Sequence, residues 1–535
     1  MEIDLFHLAA VITIFALVYR HLTKNNDYFH DKPIPSLAVK PGIGSTGSLM
    51  FKRCSFSDYI KSIYDKFPSV KVFGLFDTTM PFFVIRDPEL IKQIAVKDFD
   101  HFVDHRTIMG NDDSGDSPRL FGNSLFSMNG QRWRDMRATL SPAFTGSKMR
   151  QMFQLMVDCC ETMVRYYDRE VGNHGGSMEI EVKDMLSRVG IDVIASCAFG
   201  LKVDSFKEQE NEFLKQGRKM VNFGRIGLVF KMLAIRMFPK LLGGLGFDII
   251  DKDQTEYFTK LIKDTVKARE SQGVVRNDMI DMLLQAKKGE LKHHQEKEEQ
   301  EGFATVQESD LGKGSVIKPM TENEMIAQCF IFFIAGFDSV STSVMFAIYE
   351  LVRNPEVQDK LCVEVLNTRK SLHGKPLTYD ALQKMEYLDM VISETLRMWA
   401  PAPAIDRLCV RDYELDDGEG LKFTIEKGTC VWFPVHGIHL DPKYFPEPEK
   451  FDPERFSDEN KQNIVSGTYL PFGVGPRNCI GSRFALMEVK AILYHMLLKF
   501  SFVKNENTQI PLGLRKGFTN MGTEKPIYVQ LVKRN

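Results

Sequence analysis

The chain has 535 residues, of which 43% are hydrophobic and 26% charged, and its 69 basic and 71 acidic residues leave a formal net charge of −2. This length excludes a small module held together by disulfides or a metal, and the composition excludes a chain that is disordered throughout. The balanced charge excludes a strongly basic nucleic-acid binder, so no nucleic-acid partner is expected. The nine cysteines are odd in number and lie mostly in apolar stretches, which indicates a reducing compartment.

An apolar stretch near the start of the chain predicts a membrane anchor. Residues 5–19 read LFHLAAVITIFALVY, and Arg20 and Lys24 follow. The first residues are acidic, which disfavours a cleaved signal peptide. Positive charge after the apolar helix favours the cytosolic side for the rest of the chain. We therefore assign residues 1–24 to an uncleaved anchor, with a buried amphipathic helix as the alternative.

A segment rich in proline and glycine, residues 25–44, follows the anchor and predicts a stiff linker into a globular body. Between residues 55 and 105, apolar runs such as VKVFGLF and PFFVIRD predict short strands, and from about residue 130 to 400 helical periodicity dominates. The sequence therefore predicts a mainly α-helical body with small β-sheets, a single domain that covers residues 45–535.

Two stretches inside the body stand out by composition. Residues 289–318 are rich in Lys, Glu, Gln and His and lack an apolar face, which predicts a solvated loop between two long helices. Residues 221–247 are apolar with scattered Lys231, Arg236 and Lys240. This second stretch is either a core helix or a surface element that dips into the lipid interface, and the sequence leaves both open.

A glycine-rich segment near the C-terminus surrounds Cys479 and reads PFGVGPRNCIGSRFALMEVKAIL over residues 471–493. Glycines permit a tight loop whose backbone N–H groups point at the sulfur, and the start of the following helix stabilises negative charge there. This arrangement favours a thiolate, which is a strong axial donor to haem iron. For a lone cysteine, the alternative is a buried structural residue.

The positions Phe472, Gly475, Arg477, Cys479 and Gly481 resemble the haem-binding loop of the cytochrome P450 family, which has the form F-x-x-G-x-R-x-C-x-G. The resemblance extends from the anchor to the C-terminus, and the chain is similar to microsomal animal forms that include insect detoxification enzymes. It implies a cytochrome P450-type fold and a haem b cofactor whose iron is bound by the Cys479 thiolate. The other four positions of the pattern then help to bind the cofactor.

A pair of ionic residues lies in the segment MVISETLRMWAPAP. Glu394 and Arg397 are three residues apart and share one face of a predicted helix that is apolar around them, so the pair is expected to be buried and to need further partners. The resemblance supplies Arg455, in a Pro-Glu-Arg-Phe sequence, as the third member. It implies a triad that supports the core behind the cysteine loop and retains haem.

A second helical pair, Trp133 and Arg137, is spaced by four residues. The resemblance implies that this pair holds a haem propionate, for which arginine is a natural bidentate partner. By the same resemblance Arg407 and Arg477 contribute, with a plain surface charge as the alternative for Arg407. We interpret His439 as a structural residue.

Residues 326–352 form an apolar stretch that predicts a helix through the core, and its centre contains Gly336, Asp338 and Ser339. The glycine permits close approach of a ligand or a local opening of the helix. The resemblance implies that Asp338 and Ser339 deliver protons during oxygen activation, with serine where the family has threonine. Serine keeps the hydroxyl but lacks the methyl group that fixes its rotamer. The alternative is a helix serine bonded to its own backbone four residues earlier.

The resemblance implies a haem-dependent monooxygenase at the endoplasmic reticulum membrane, with the catalytic domain on the cytosolic side. Its substrate would be a lipophilic xenobiotic, terpenoid, steroid or fatty acid, into which it inserts one oxygen atom of O2. No G-x-G-x-x-G unit after a strand is found, so electrons are expected from a partner. The resemblance implies that this partner is NADPH–haemoprotein reductase, with cytochrome b5 as a further partner, and that it docks near Arg132, Arg134, Lys148 and Arg150.

Two other functions are compatible with the same motifs. One is a haem-thiolate isomerase or dehydratase that needs no reductase, and the other is a membrane-tethered binder of haem or a lipophile without turnover. The acid and hydroxyl at 338 and 339 disfavour both. The resemblance implies that five mostly apolar segments form the substrate pocket: residues 121–126, residues 221–247, residues 330–337, residues 402–405 and the stretch around Phe518.

Overall fold

The computed structural model describes residues 5–106, 119–208, 210–221, 234, 250–273, 275–288, 302–306 and 320–534. Within these ranges helices form most of the regular backbone, and the strands pair into small sheets of four, three and two strands. The predicted mainly α-helical fold with small β-sheets is therefore confirmed.

The described helices are α1 (Leu5–Thr23), α2 (Gly47–Met50), α3 (Phe56–Asp65), α4 (Pro88–Lys92), α5 (Gly130–Leu140), α6 (Gly146–Asn173), α7 (Val182–Cys197), α8 (Glu212–Val221), α9 (Lys252–Gln272), α10 (Met279–Lys287), α11 (Glu322–Arg353), α12 (Pro355–Ser371), α13 (Tyr379–Gln383), α14 (Glu386–Met398), α15 (Val435–His439) and α16 (Ser482–Lys499). The strands are β1 (Val72–Asp77), β2 (Met80–Ile85), β3 (Ser177–Glu181), β4 (Ile405–Leu408), β5 (Tyr413–Asp416), β6 (Lys422–Ile425), β7 (Cys430–Phe433), β8 (Phe500–Val503) and β9 (Tyr528–Lys533).

The four-stranded sheet has the order β1-β2-β7-β4. Strands β1 and β2, which the apolar runs predict as short strands, form an antiparallel pair with Val72 opposite Ile85. Strand β7 runs parallel to β2 and antiparallel to β4, so that Arg407 lies opposite Val431. Strand β4 thereby carries Arg407 towards the interior. The other sheets are antiparallel, with the orders β3-β9-β8 and β5-β6.

The core helix α11 begins with a capping box, in which Thr321 and Glu324 satisfy each other's backbone N–H groups. It is long and apolar enough to cross a membrane, but 61% of its most apolar window is buried inside the protein. Its flanks pack against α7 and α16. The helix therefore runs through the core, as its apolar sequence predicts.

The N-terminal helix α1 differs from α11 in exposure. Residues 11–20 are all exposed, and Phe15 and Leu17 expose 70% and 62% of their surface. An apolar helix that the protein leaves uncovered fits a lipid environment. The alternative of a buried amphipathic helix does not agree with this exposure.

The predicted linker, residues 25–44, packs on the edge of the first sheet. The Phe29 ring is 5% exposed and lies 5.2 Å from Phe76 and 5.3 Å from Phe83. A Cβ at Gly74 would lie 2.7 Å from the Phe29 ring, so glycine makes this contact possible. The linker thus fixes where the chain enters the body.

Two predictions fall largely on residues that the structure does not describe. Residues 221–247 lie outside the described residues except for Val221 and Ala234, so their choice between core and lipid interface stays open. Of the predicted solvated loop, residues 302–306 are described. For this part the prediction was wrong, because Ala304 is 3% exposed and the Phe303 N–H bonds to a carboxylate.

Candidate functional site

The loop that ends in Cys479 is shaped by its glycines. Gly473 and Gly475 have φ values of 82° and 74°, in the left-handed region that favours glycine. A Cβ at Gly475 would lie 1.9 Å from the Ala95 carbonyl oxygen, so no other residue fits. The Cys479 N–H closes the loop on the Phe472 carbonyl at 2.8 Å. The backbone conformation of the loop therefore requires the glycines at their positions in the sequence motif.

The Cys479 side chain is exposed, yet burial within the protein raises the pKa of its thiol. Both hold because the sulfur faces an open space inside the protein rather than bulk solvent. A hydrogen bond from the Gly481 N–H and the charge of Arg137 lower the pKa against this burial. These two groups favour the thiolate form that a metal ligand requires.

The centre of α11 faces the same interior space. Ala335 is exposed although it lies in the middle of a core helix, and Phe332 and Ser339 on the same face are partly exposed. The Phe144 ring lies 5.2 Å from the Phe332 ring and 3.9 Å from the position of a Cβ at Gly481. The cysteine loop and this face of α11 therefore lie on either side of Phe144.

The predicted pocket wall at residues 330–337 needs a correction. Phe330, Phe333 and Phe337 are at most 1% exposed and lie on the opposite face of α11. The Phe333 ring lies 4.8 Å from the ring of Phe258 on α9, within the core. Helical periodicity directs these three rings into the core, so only the other face can line a pocket.

The other predicted wall segments are brought together only in part. Residues 402–405 border the cysteine loop, since Ile405 Cδ1 lies 3.7 Å from the position of a Cβ at Gly473. Phe126 is 42% exposed and stacks on His105 at 5.1 Å. Phe518 instead packs on Phe56, with ring centroids 5.9 Å apart.

The role expected of Gly336 also changes. A Cβ at Gly336 would lie 2.6 Å from Ile194 Cδ1 on α7. The glycine therefore permits the close approach of a neighbouring helix, and α11 stays continuous through this position. The sequence could not distinguish a helix from a ligand as the approaching group.

Three buried guanidinium groups lie near the cysteine loop. Arg137 donates to the carbonyl and side-chain oxygens of Asn478 at 2.8 and 2.7 Å. Arg477 donates to the Val103 carbonyl at 2.8 Å, and its guanidinium lies 4.3 Å from the Trp133 ring centroid. Of the predicted partners, Arg137 thus binds the residue before Cys479, and Arg477 packs against Trp133.

Arg407 is fully buried, so the alternative of a surface charge was wrong. It donates to the carbonyls of Asp406 and Val474 at 2.7 and 3.2 Å, while its Nε has no acceptor among the described residues. Burial lowers its pKa to about 10, and burial with repulsion from Arg407 lowers the pKa of Arg477 to about 9. A buried cluster of this kind favours an anionic ligand.

The predicted ionic triad is present. Arg397 donates from Nε and Nη2 to the two carboxylate oxygens of Glu394 at 2.7 and 2.8 Å, and both side chains are fully buried. Arg455 Nε lies 3.4 Å from Glu394 Oε1 and is 13% exposed. Burial raises the pKa of Glu394, while both arginines lower it. The carboxylate thus depends on these two partners.

His439, interpreted as structural from the sequence, connects the triad to the cysteine loop. Its Nδ1 donates to the Arg397 carbonyl at 2.9 Å, and its Nε2 accepts the Leu470 N–H at 2.8 Å. Burial and Arg397 lower its pKa to about 3. The imidazole is therefore neutral, with its proton on Nδ1.

Asp338 pairs with Lys183 on α7, a residue that sequence reasoning did not find. Lys183 Nζ lies 3.0 Å from Asp338 Oδ1 and donates to Ser341 Oγ and Thr342 Oγ1 at 2.8 Å each. Burial lowers the pKa of Lys183. The residues of this pair lie 155 positions apart, so no local pattern in the sequence could connect them.

The Ser339 hydroxyl donates to the Ala335 carbonyl at 2.6 Å. This bond is the one expected from the alternative interpretation, in which Ser339 is a helix serine bonded to its own backbone. The hydroxyl nevertheless lies on the face of α11 that is partly open to the interior space. Its oxygen can still accept a hydrogen bond there.

Three of the four cations expected to dock a partner form ion pairs. These are Arg132 with Glu324 at 2.9 Å, Arg134 with Asp100 at 2.6 Å and Arg150 with Asp380 at 2.6 Å. Lys148, the fourth, is partly buried. The surface therefore presents both signs of charge, which weakens its attraction for an acidic partner.

The comparisons with known proteins decide the family. The cytochrome P450 family model matches residues 46–531. The chain belongs to the cytochrome P450 family. It is 41% identical over 532 residues to "Probable cytochrome P450 9f2" of Drosophila melanogaster, covering 97% of this chain and 98% of that protein. It is 40% identical over 537 residues to "Cytochrome P450 9e2" of Blattella germanica, covering 98% and 97% of the two chains. It is 34% identical over 527 residues to "Cytochrome P450 6k1" of the same cockroach, again covering 98% and 97%.

Cytochromes P450 are haem monooxygenases that use a cysteine thiolate, and this chain is therefore an oxidoreductase with a haem cofactor. The family uses a redox partner, a lipophilic substrate and O2. The residues of this chain fit haem b, because its two propionates are the anions that buried guanidinium groups favour. Arg407, whose Nε lacks an acceptor among the described atoms, suits such a ligand particularly well.

Proposed function

We propose that this P450 is a membrane-anchored monooxygenase of lipophilic substrates in which Cys479 is the axial haem ligand. The carrying observation is that Cys479 lies in a loop fixed by glycines with left-handed φ values and, unlike the other described cysteines, has an exposed side chain. When bound, haem activates O2, so that one oxygen atom enters the substrate and the other leaves as water.

Around the cofactor, the roles of this chain's residues follow from their contacts. The Gly481 N–H and Arg137 stabilise negative charge on the Cys479 sulfur. The pair Trp133 and Arg137 binds the propionates together with Arg407 and Arg477. Phe472, Gly475 and Gly481 set the shape of the loop, and the triad of Glu394, Arg397 and Arg455 retains haem by holding the core behind it.

Asp338 relays protons towards the reacting oxygen, and Ser339 positions the group that donates them. Lys183 holds the Asp338 carboxylate at the edge of α11 by a 3.0 Å contact, which orients it as a proton carrier. The Ser339 oxygen accepts a hydrogen bond from a water or substrate in the interior space while its O–H group continues to donate to the Ala335 carbonyl. The serine thus positions a proton donor and needs no shifted pKa.

Lipophilic substrates are supported by the apolar side chains near the cysteine loop, among them Phe332, Ala335 and Ile405. Xenobiotics, terpenoids, steroids and fatty acids share this character. The exposed apolar helix α1 supports anchoring in the endoplasmic reticulum membrane, and Arg20 and Lys24 after it favour a cytosolic catalytic domain, residues 45–535. Electrons come from NADPH–haemoprotein reductase, with cytochrome b5 as a second donor, on the cysteine side.

The ligand assignment is tested with Cys479→Ala and the matched control Cys362→Ala, which also removes a buried thiol. We expect the first variant to lose the reduced-CO absorption band of thiolate-bound haem and the second to keep it. If Cys479→Ala retains that band, another residue is the ligand.

The reaction class is tested by supplying reductase, NADPH and isotopically labelled O2 with a panel of lipophilic substrates. A monooxygenase consumes NADPH and places one labelled oxygen atom in the product. An isomerase or dehydratase forms unlabelled product without NADPH, and a non-catalytic binder shows ligand-induced spectral change without product.

The anchor is tested by deleting residues 1–24 and fractionating membranes. We expect most of the protein to leave the membrane fraction, because α1 supplies the exposed apolar surface. Membrane binding that is unchanged by the deletion would assign the contact to another surface.

A further inference from the structure

A short strap, residues 302–306, docks on the side of the protein that carries the cysteine loop. The Phe303 N–H donates to Asp389 Oδ2 at 2.8 Å, and the Thr305 N–H closes a turn on the Gly302 carbonyl at 2.9 Å. A Cβ at Gly302 would lie 1.8 Å from Asp389 Oδ1, so glycine is required there. Ala304 is 3% exposed. These contacts hold the strap against the protein, although it lies in an otherwise highly charged stretch of sequence.

The acceptor of the strap, Asp389, links two helices that frame the cysteine loop. Asp389 lies on α14, the helix that carries Glu394 and Arg397. Its Oδ1 lies 2.8 Å from Nζ of Lys490, whose side chain is 1% exposed and belongs to α16, the helix that follows Cys479. A buried ion pair of this kind is held by hydrogen bonds to its remaining lone pairs, and the Phe303 N–H supplies one.

The Phe303 ring completes a triangle of aromatic rings. Its centroid lies 5.0 Å from the Phe456 ring and 5.3 Å from the Tyr469 ring, and these two lie 5.1 Å apart. On its other side, Tyr469 stacks on His439 at 5.6 Å with an interplanar angle of 18°. His439 in turn accepts the N–H of Leu470, the residue after Tyr469.

We propose that Phe303 is a positioning residue for the haem thiolate. The strap holds Tyr469 against His439, and His439 holds the Leu470 end of the loop that carries Cys479. This inference rests on the proposed role of Cys479 as the haem ligand. The contacts of Phe303 are with residues of the cysteine side, so its loss acts on the thiolate and leaves binding of lipophilic substrates unchanged.

The test uses four variants of the full-length holoenzyme. Phe303→Ala removes the ring, and Gly302→Ala displaces the strap while every native side chain is retained. Phe303→Leu keeps most of the apolar bulk, and Thr305→Ala is the matched control inside the strap. Hydrogen exchange of the Leu470 amide and the reduced-CO spectrum are measured for each, together with binding of a fluorescent lipophile that does not coordinate iron.

We expect Phe303→Ala and Gly302→Ala to speed exchange of the Leu470 amide about tenfold, because apolar packing of this size is lost or displaced. The same two variants lose part of the thiolate band, while Phe303→Leu and Thr305→Ala, which keep this packing, behave as the wild type. Binding of the fluorescent lipophile stays unchanged throughout. Unaltered Leu470 exchange and an unaltered band in both disrupting variants overturn the proposal.

Two measurements distinguish a failure of this proposal from misfolding of the variants and from a wrong assignment of the haem ligand. In the wild-type protein the Phe303 amide is expected to be protected by Asp389, and exchange at the rate of an open chain overturns the strap even if the variants fail to fold. Cys479→Ala is expected to lose the thiolate band while Leu470 exchange stays slow. A retained band there removes the ligand assignment but leaves the effect of the strap on Leu470 measurable.

Discussion

The Leu470 amide donates a 2.8 Å hydrogen bond to Nε2 of His439, and this bond joins the start of the cysteine loop to α15. The opposite ring nitrogen donates to the Arg397 carbonyl at 2.9 Å. Since both ring nitrogens are used, the histidine has one tautomer and one orientation. The loop is therefore held at its entrance as well as by its glycines.

Replacing His439 tests this connection. His439→Ala leaves a buried amide and a buried carbonyl without partners, and we expect a loss of about 2–4 kcal/mol in the free energy of unfolding with partial loss of the thiolate band. The control is His436→Ala on the same helix, whose Nδ1 lacks a partner among the described atoms. In thermal unfolding His436→Ala should be less destabilising than His439→Ala, and its thiolate band should be intact. Equal effects of the two variants would argue against a role of the Leu470 bond.

The buried histidines predict a loss of stability in acid. Burial lowers the pKa of His439 to about 3 and of His436 to about 4, whereas the unfolded chain has the ordinary value of 6.5. The unfolded state therefore binds protons first, and stability that is present above pH 6.5 falls as the pH decreases towards these folded values. The slope is about 1.4 kcal/mol per pH unit for each histidine.

Carboxyl groups whose pKa is raised in the folded protein have the opposite effect on acid stability. Burial raises the pKa of Asp192 to about 7, for example. Denaturant unfolding between pH 7.5 and 5 is therefore compared between the wild type and His436→Ala/His439→Ala. The double variant should lose less stability on acidification. Parallel curves would show that these histidines do not carry the acid dependence.

The triad predicts unequal effects of its two arginines. Arg397→Ala leaves a fully buried carboxylate without its bidentate partner, at a cost of about 3–5 kcal/mol, so we expect mostly haem-free protein. Arg455→Ala should be milder, since its contact is 3.4 Å long and partly exposed. Arg165→Ala, from an exposed helix pair with Glu161, is the control and should change stability by less than about 1 kcal/mol. Haem content and thermal unfolding are measured for all three variants.

Arg407 is predicted to retain haem by charge. Arg407→Gln removes a buried cation whose Nε has no acceptor among the described residues, and we expect haem to transfer to an acceptor protein about 10–100 times faster, as for loss of a charge-assisted hydrogen bond. Arg411→Gln, at an exposed arginine four residues further on, should leave the rate unchanged. A transfer rate unaffected by Arg407→Gln would remove this residue from the propionate site.

Ser339 is predicted to control coupling. Ser339→Ala should raise the peroxide released per NADPH consumed, with haem content and substrate binding nearly unchanged, and Ser339→Thr should equal or improve coupling because its rotamer is more restricted. The matched control is Ser343→Ala, which removes a serine with the same backbone bond one turn later, at 3.0 Å. If the alanine variants at 339 and 343 couple alike, Ser339 is only a backbone-bonded helix residue.

Features that depend on local spacing could be predicted from the sequence. The glycines at 473 and 475 before Cys479 predict a tight loop because glycine adopts left-handed φ values without strain. Glu394 and Arg397 form a pair because three residues make almost one helical turn. The apolar pattern of residues 326–352 was sufficient to predict a core helix, again because it depends only on neighbouring positions in the sequence.

Only the tertiary structure decided which distant residues meet. Lys183 reaches Asp338 because α7 packs against α11, and Phe303 reaches Tyr469 because the strap returns across α14. The burial of Arg407 depends on its place opposite β7 in the four-stranded sheet. Contacts across such separations depend on how whole elements pack, and packing is set by the summed shape of many side chains rather than by any short motif.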